Sequence, residues 1–241
     1  MLVPLFFQIA NAECLVTGEQ FSVGARAAVV MEVESGKLLF AQNPDKQLPM
    51  ASTTKILTTL ITLEQKNLYD QFIVDPQAIM VEGSSMGLTE GDMVTLYALA
   101  GGMLTASGND AANAAAVAIA GNIPAFADIM NVRADEIGMV NSHFVTPSGL
   151  DDDQHYSTAS DMALLGRAAI QNPLFKEMCS AKSLRLHFGM PPFDRTLENH
   201  NRLLRLYPGC IGIKTGFTKT SGRCLVSAAE KDGVTLVTNH L

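Results

Sequence analysis

No basic stripe, metal-ligand cluster or phosphate loop occurs in this sequence, and each absence removes a class of function. Acidic residues outnumber basic ones by 24 to 17 and the net charge is −7, so nothing favours a nucleic-acid partner. The five histidines lack H-E-x-x-H spacing, and the four cysteines, Cys14, Cys179, Cys210 and Cys224, lack C-x-x-C spacing. They read as small buried hydrophobes. Asp151, Asp152 and Asp153 read as a solvated loop rather than a metal site. No dinucleotide fingerprint appears, so no cofactor or metal is expected. No apolar run is long enough for a membrane span.

What remains is a globular composition, 47% hydrophobic and 17% charged over 241 residues, enough for one domain with a sizeable core. Residues 1–12, "MLVPLFFQIANA", are apolar and end in a small-x-small pattern at Ala10–Ala12. They read as the remnant of a secretory leader without its basic start, which implies an exported, extracytoplasmic protein. The other reading is a buried N-terminal strand.

Hydrophobic patterning places strands at both ends. Ala27–Val33 and Leu38–Ala41 form a hairpin turned at Glu34–Gly36. "GCIGIKTG", "RCLVSAAE" and "VTLVTNHL" are strands near the C-terminus, separated by "FTKTSG" and Lys231–Gly233. Between them lie helices. "STTKILTTLITLEQKN" carries Ile56, Leu60 and Leu63 at helical spacing and almost no charge, so it is expected to be buried. Further helices are "VTLYALAGGMLTA", "AANAAAVAIAG" and "PAFADIMNVRADEIG", then "TASDMALLGRAAIQN", capped by Thr158 or Ser160. Residues 75–92 and 141–157 are turn and loop. The expected fold is α+β, a three-layer αβα arrangement. One antiparallel sheet is drawn from both chain ends and flanked by helices, with an inserted helical lobe.

Three short patterns carry chemistry. They are Ser52-Thr53-Thr54-Lys55, Ser107-Gly108-Asn109 and Lys214-Thr215-Gly216. Each is weak alone, but the ordered trio is characteristic of serine acyltransferases that react with penicillins. A serine hydroxyl needs a base, and positions i and i+3 share a helix face, so Lys55 lies beside Ser52. Burial, and a second cation such as Lys214, depress a lysine pKa and free its amine for that role. Ser107 is placed to relay a proton to a leaving amine, and Asn109 to hold Lys55 and a substrate amide. The plainer reading makes Ser107 or Asn109 a helix cap. Lys214 and Thr215, on an edge strand, are placed to meet a carboxylate of a substrate added along that strand. Gly216 leaves room for the substrate to approach. The N–H groups of Ser52 and Phe217 form the expected oxyanion hole.

The chain resembles the serine-type D-alanyl-D-alanine carboxypeptidases, the low-molecular-mass penicillin-binding proteins. Beyond the trio, "SGNDAANAAAVAIAG", "FVTPSGLDDDQHYSTASDMALLGRAAI" and "NHNRLLRLYPGCIGIKTGFTKTSGRCLVSAAEKDGVTLV" carry the likeness, over roughly residues 24–241. The resemblance implies that Ser52 is acylated, Lys55 is its base, Ser107 and Asn109 complete the centre, and Lys214 binds the substrate carboxylate. It implies release of the terminal D-alanine from peptidoglycan stem peptides and acylation by β-lactams. The penicillin-binding domain is expected over residues 13–241. In the family the last strand leads into a closing helix, often followed by a β-rich domain and a membrane anchor. The sequence stops at Leu241, on that strand.

Two alternatives share the motifs. A class A β-lactamase needs a glutamate in E-x-x-L-N, which is not found between Ser107 and Lys214. A truncated fragment would bind peptidoglycan or penicillin without turnover. Separately, Gly83–Gly87 fits the G-x-S-x-G nucleophile elbow with Ser85 at its centre, but turn residues follow it instead of a helix.

Overall fold

Val29 and Met31 are buried on β1 (Ala28–Glu32) while Val30 and Glu32 are only half-buried, the period of two of a strand with one face on a core. A computed structural model describes residues 22–241; the expected leader at 1–12 and Cys14 lie outside the described residues. β1 pairs with β2 (Leu38–Gln42) on one side. On the other it pairs with β9 (Val234–His240), so the two ends of the described chain meet in adjacent strands. Ala27 and Leu241 exchange backbone hydrogen bonds of 3.1 and 2.9 Å. β8 (Gly222–Lys231) and β7 (Cys210–Thr218) complete a five-stranded antiparallel sheet, β2-β1-β9-β8-β7. This is the sheet expected from both termini, and β7 is its edge.

The helices follow their sequence signals. α1 (Lys55–Leu63) is buried at all nine positions. α2 (Leu96–Leu104) and α4 (Ile123–Ile137) start at Thr95 and Asn122, whose side chains accept from Ala98 N and Ala125 N. α3 (Asn109–Ala120) and α4 both end at left-handed glycines, Gly121 and Gly138. α5 (Ala159–Gln171) packs on β1, β8 and β9, and its cap is Thr158, not Ser160. Cys179 and Cys224 are buried free thiols, as expected of small core residues, and burial pushes Cys179 up to about 12.

Two features depart from the sequence reading. A helix that the sequence reading did not give follows α5 at once: α6 (Pro173–Ser180), with Asn172 accepting from Phe175 N. Proline is well placed at a first helical position, where its missing N–H is not needed. The inserted lobe is also not purely helical. β3 (Phe72–Ile73), β4 (Met93–Val94), β5 (Ser183–Gly189) and β6 (Pro192–Glu198) form a second antiparallel sheet in that order. Its β5–β6 hairpin buries only Leu186, Phe188 and Gly189. Its outer side is held by polar pairs, Arg185–Asp194 at 2.6 Å and His187–Asp194 at 2.8 Å. Leu184, Leu186 and Phe188 alternate with Arg185 and His187 along β5, a strand period that the sequence reading passed over. α7 (Leu203–Leu206) then leads into β7.

Candidate active site

Ser52 stands in a tight 3-10 turn, Ala51–Thr54, that runs directly into α1. The turn is held from within: Thr53 Oγ1 donates to Met50 O at 2.6 Å and Thr54 Oγ1 to Ala51 O at 2.8 Å. Ala51 takes a φ of 47°, a conformation L residues rarely adopt. The neighbour that permits it is Gly149, where an added Cβ would lie 2.0 Å from Ala51 O. Gly149→Ala is therefore expected to cost about 3 kcal/mol, a fall in Tm of roughly 10 °C, and to displace the turn carrying Ser52. Thermal melting and penicillin labelling of the variant check this; an unchanged Tm with normal labelling would contradict it.

Lys55 is fully buried, and its Nζ has three partners: Ser52 Oγ at 2.9 Å, Asn109 Oδ1 at 2.7 Å and Ser148 O at 2.6 Å. Two of these are carbonyl oxygens, which only accept. A neutral amine has two hydrogens and one lone pair. Donating both hydrogens to the carbonyls aims the lone pair at Ser52. The Asn109 amide cannot easily turn over, because its Nδ2 donates to Glu82 O at 2.6 Å. Burial, followed by the nearby charge of Lys214, holds Lys55 well below the usual lysine range, against a smaller opposing pull from Asp110.

Ser107 sits between α2 and α3 with a φ of 59°. Neither Ser107 nor Asn109 caps α3: the cap position is Gly108, with no side-chain cap. Ser107 Oγ instead accepts from Lys214 Nζ at 2.9 Å, and Lys214 also donates to Thr215 O at 2.8 Å. Burial lowers the Lys214 pKa to about 7. The three motifs are thus brought together around two buried amines.

β7 carries Lys214, Thr215, Gly216 and Phe217 along the sheet edge, beside the Ser52 turn. At Gly216 an added Cβ would lie 3.0 Å from Ser52 N and 3.1 Å from Thr53 N. The missing side chain therefore makes room for the protein's own turn, where the sequence reading assigned the space to substrate. This close approach sets the Ser52 N–H next to the Gly216–Phe217 segment, as an oxyanion hole requires. The cleft in front, about 570 Å³, is lined by Ser52, Ser107, Thr215, Gly216 and Phe217, with Ser84 and His200 among its other walls. His200 is held below its ordinary value by burial and by Lys214.

Some contributors escaped the sequence reading. Ser148 acts through a backbone carbonyl, and only the turn chemistry of "TPSG" hinted at it. Asp110 is buried, and its carboxylate accepts from the backbone N–H groups of Met86, Gly87, Leu88 and Ala111 and from Ser85 Oγ. It fastens the 82–88 loop onto the start of α3. Ser85 lies in that loop, with no strand before it and no helix after it, so the elbow geometry is not formed.

The D-alanyl-D-alanine carboxypeptidase family profile matches residues 15–240. The D-alanyl-D-alanine carboxypeptidase DacF of Bacillus subtilis is 33% identical over 86% of this chain and 54% of its own length. DacB2 of Mycobacterium tuberculosis is 34% identical, over 88% of this chain and 73% of its own. The chain thus spans only about half of DacF. Among solved structures, the Streptomyces K15 DD-transpeptidase superposes with a TM-score of 0.86 at 29% identity, covering 91% of this chain and 90% of its own. The D-alanyl-D-alanine carboxypeptidase of Mycobacterium tuberculosis H37Rv gives 0.85 at 32% identity, covering 90% and 81%.

Proposed function

Because the chain belongs to the D-alanyl-D-alanine carboxypeptidase family, we propose that it removes the terminal D-alanine from peptidoglycan stem peptides through an acyl-enzyme on Ser52. The observation that supports this reading most is the Lys55 amine, buried, held by that burial and by Lys214 well below the usual lysine range, and 2.9 Å from Ser52 Oγ.

The peptide lies along the β7 edge, with its terminal carboxylate at Lys214 and Thr215. Lys55 takes the Ser52 proton as Oγ attacks the carbonyl of the scissile bond. The Ser52 and Phe217 N–H groups receive the negative charge that develops on oxygen. Ser107, hydrogen-bonded to Lys214, relays a proton to the departing D-alanine amine, and Asn109 holds Lys55 in place. Water then hydrolyses the ester. A β-lactam acylates Ser52 by the same route and stays. The substrate lies outside the cytoplasm, so the protein works as an exported one.

D-Alanine release from a D-alanyl-D-alanine pentapeptide, together with labelling by a fluorescent penicillin, tests the reading. Both are expected. Rapid hydrolysis of the penicillin would favour a β-lactamase, and label without D-alanine release a non-catalytic binder. Lys214→Ala is expected to lower kcat/KM for the pentapeptide about 10- to 100-fold, mostly through KM, by removing a charged hydrogen bond to the carboxylate. An unchanged KM in steady-state assays would remove Lys214 from that role.

A further inference from the structure

The sequence contains eight arginines, and six are committed to partners within the chain. Arg133, Arg185 and Arg205 form ion pairs with acidic side chains. Arg26 and Arg167 donate to backbone carbonyls, and Arg195 does so while lying 4.5 Å from the ring centres of Phe188 and Phe193. The guanidinium groups of Arg202 and Arg223 alone have no hydrogen-bond or ion-pair partner among the described residues. Both line the Ser52 cleft, and no aspartate or glutamate is among its lining residues. In a chain of net charge −7, two unpaired arginines in one acid-free cleft mark a place kept for an anion. The planar fork of arginine matches a carboxylate better than any other side chain does.

Register says where along the peptide that anion lies. With the terminal carboxylate at Lys214–Thr215 and the reacting carbonyl at Phe217, the chain upstream of the scissile bond runs on past Phe217. The cross-strand partner of Phe217 is Arg223. Arg202 immediately precedes α7, which packs against β7. We propose that Arg202 and Arg223 receive a second carboxylate of the substrate, carried on the residue that precedes the D-alanyl-D-alanine pair. The direction of the peptide rests on the carboxypeptidase reading. The site then selects stem peptides with a free carboxylate there over those in which it is amidated.

The test uses two synthetic peptides ending in D-alanyl-D-alanine, identical except for a side-chain carboxylate or carboxamide on the preceding residue. Their binding to the Ser52→Ala chain is measured by calorimetry. The carboxylate peptide is expected to bind about tenfold tighter, the preference shrinking with added salt. Adding Arg202→Gln and Arg223→Gln should bring the ratio close to one, while Arg202→Lys with Arg223→Lys keeps part of it. Equal binding by the Ser52→Ala chain, or a preference that survives both glutamines, would overturn the proposal. Since Ser52→Ala forms no acyl-enzyme, this outcome does not depend on turnover. D-Alanine release by the unaltered chain judges the carboxypeptidase reading separately.

Discussion

The Ser52→Ala chain is expected to take up no label from a fluorescent penicillin, while Ser85→Ala labels. The two serines differ in what surrounds their hydroxyls. Ser52 Oγ is 2.9 Å from a buried amine whose other two partners are carbonyl oxygens. Ser85 Oγ donates to Asp110 at 2.5 Å and accepts from Gly87 N at 2.8 Å, so it is tied into a loop. The Asp110 carboxylate also accepts four backbone N–H groups, so it serves to hold this loop. Losing the Ser85 hydroxyl leaves Asp110 those four donors, and the loop keeps its anchor. Losing the Ser52 hydroxyl removes the atom proposed to carry the acyl group, so the loss of label is expected to be complete. Melting curves for the two variants separate chemistry from folding, and both should stay within a few degrees of the parent. Label retained by a folded Ser52→Ala chain would end the nucleophile assignment.

The trio of motifs was legible because each is a local pattern with a local reason. Ser52 and Lys55 are one helical turn apart, and Asn109 opens a helix. Lys214 and Gly216 are two apart on a strand and face the same side. The terminal hairpins were legible for the same reason, since β1 and β9 bury alternate residues, β7 and β8 are short runs with buried centres, and glycine or acidic turns bound them. What stayed hidden acts through backbone atoms or over long separations. The Ser148 carbonyl is 93 residues from Lys55, and no side-chain pattern announces a carbonyl. The β5–β6 hairpin is a different case: Leu184, Leu186 and Phe188 alternate with Arg185 and His187, so its period was there to be read and was missed. Gly216 was marked correctly as a close approach, but what approaches is the Ser52 turn, which only the packing of β7 against residues 51–54 could reveal.

Lys55→Ala is expected to lower penicillin acylation by at least about 10³-fold, because general-base assistance commonly supplies 10²–10⁴ and the substitution also loosens Asn109. It leaves Asn109 Oδ1 and Ser148 O without their donor, at about 1–3 kcal/mol each if water does not enter. The variant should therefore melt lower but fold. Lys55→Arg distinguishes base from cation, since a guanidinium keeps its proton at any working pH and cannot accept one from Ser52. It too should be nearly inactive, and near-normal acylation in either folded variant would contradict the base role. The pH profile carries the same assignment. As the proposed base Lys55 acts when neutral, so acylation is expected to fall as pH drops through its depressed pKa. In its proposed role Lys214 binds a carboxylate when charged, and its pKa is about 7, so capture by the free enzyme is expected to fall as pH rises through that value. A bell in kcat/KM follows, whose two limbs belong to the coupled pair. The charge of Lys214 is one of the causes that lowers Lys55, so removing it raises the Lys55 pKa. In Lys214→Ala, the acid limb of penicillin acylation should therefore move to higher pH, whereas a lysine that only carries a fixed charge beside Ser52 would produce no such movement.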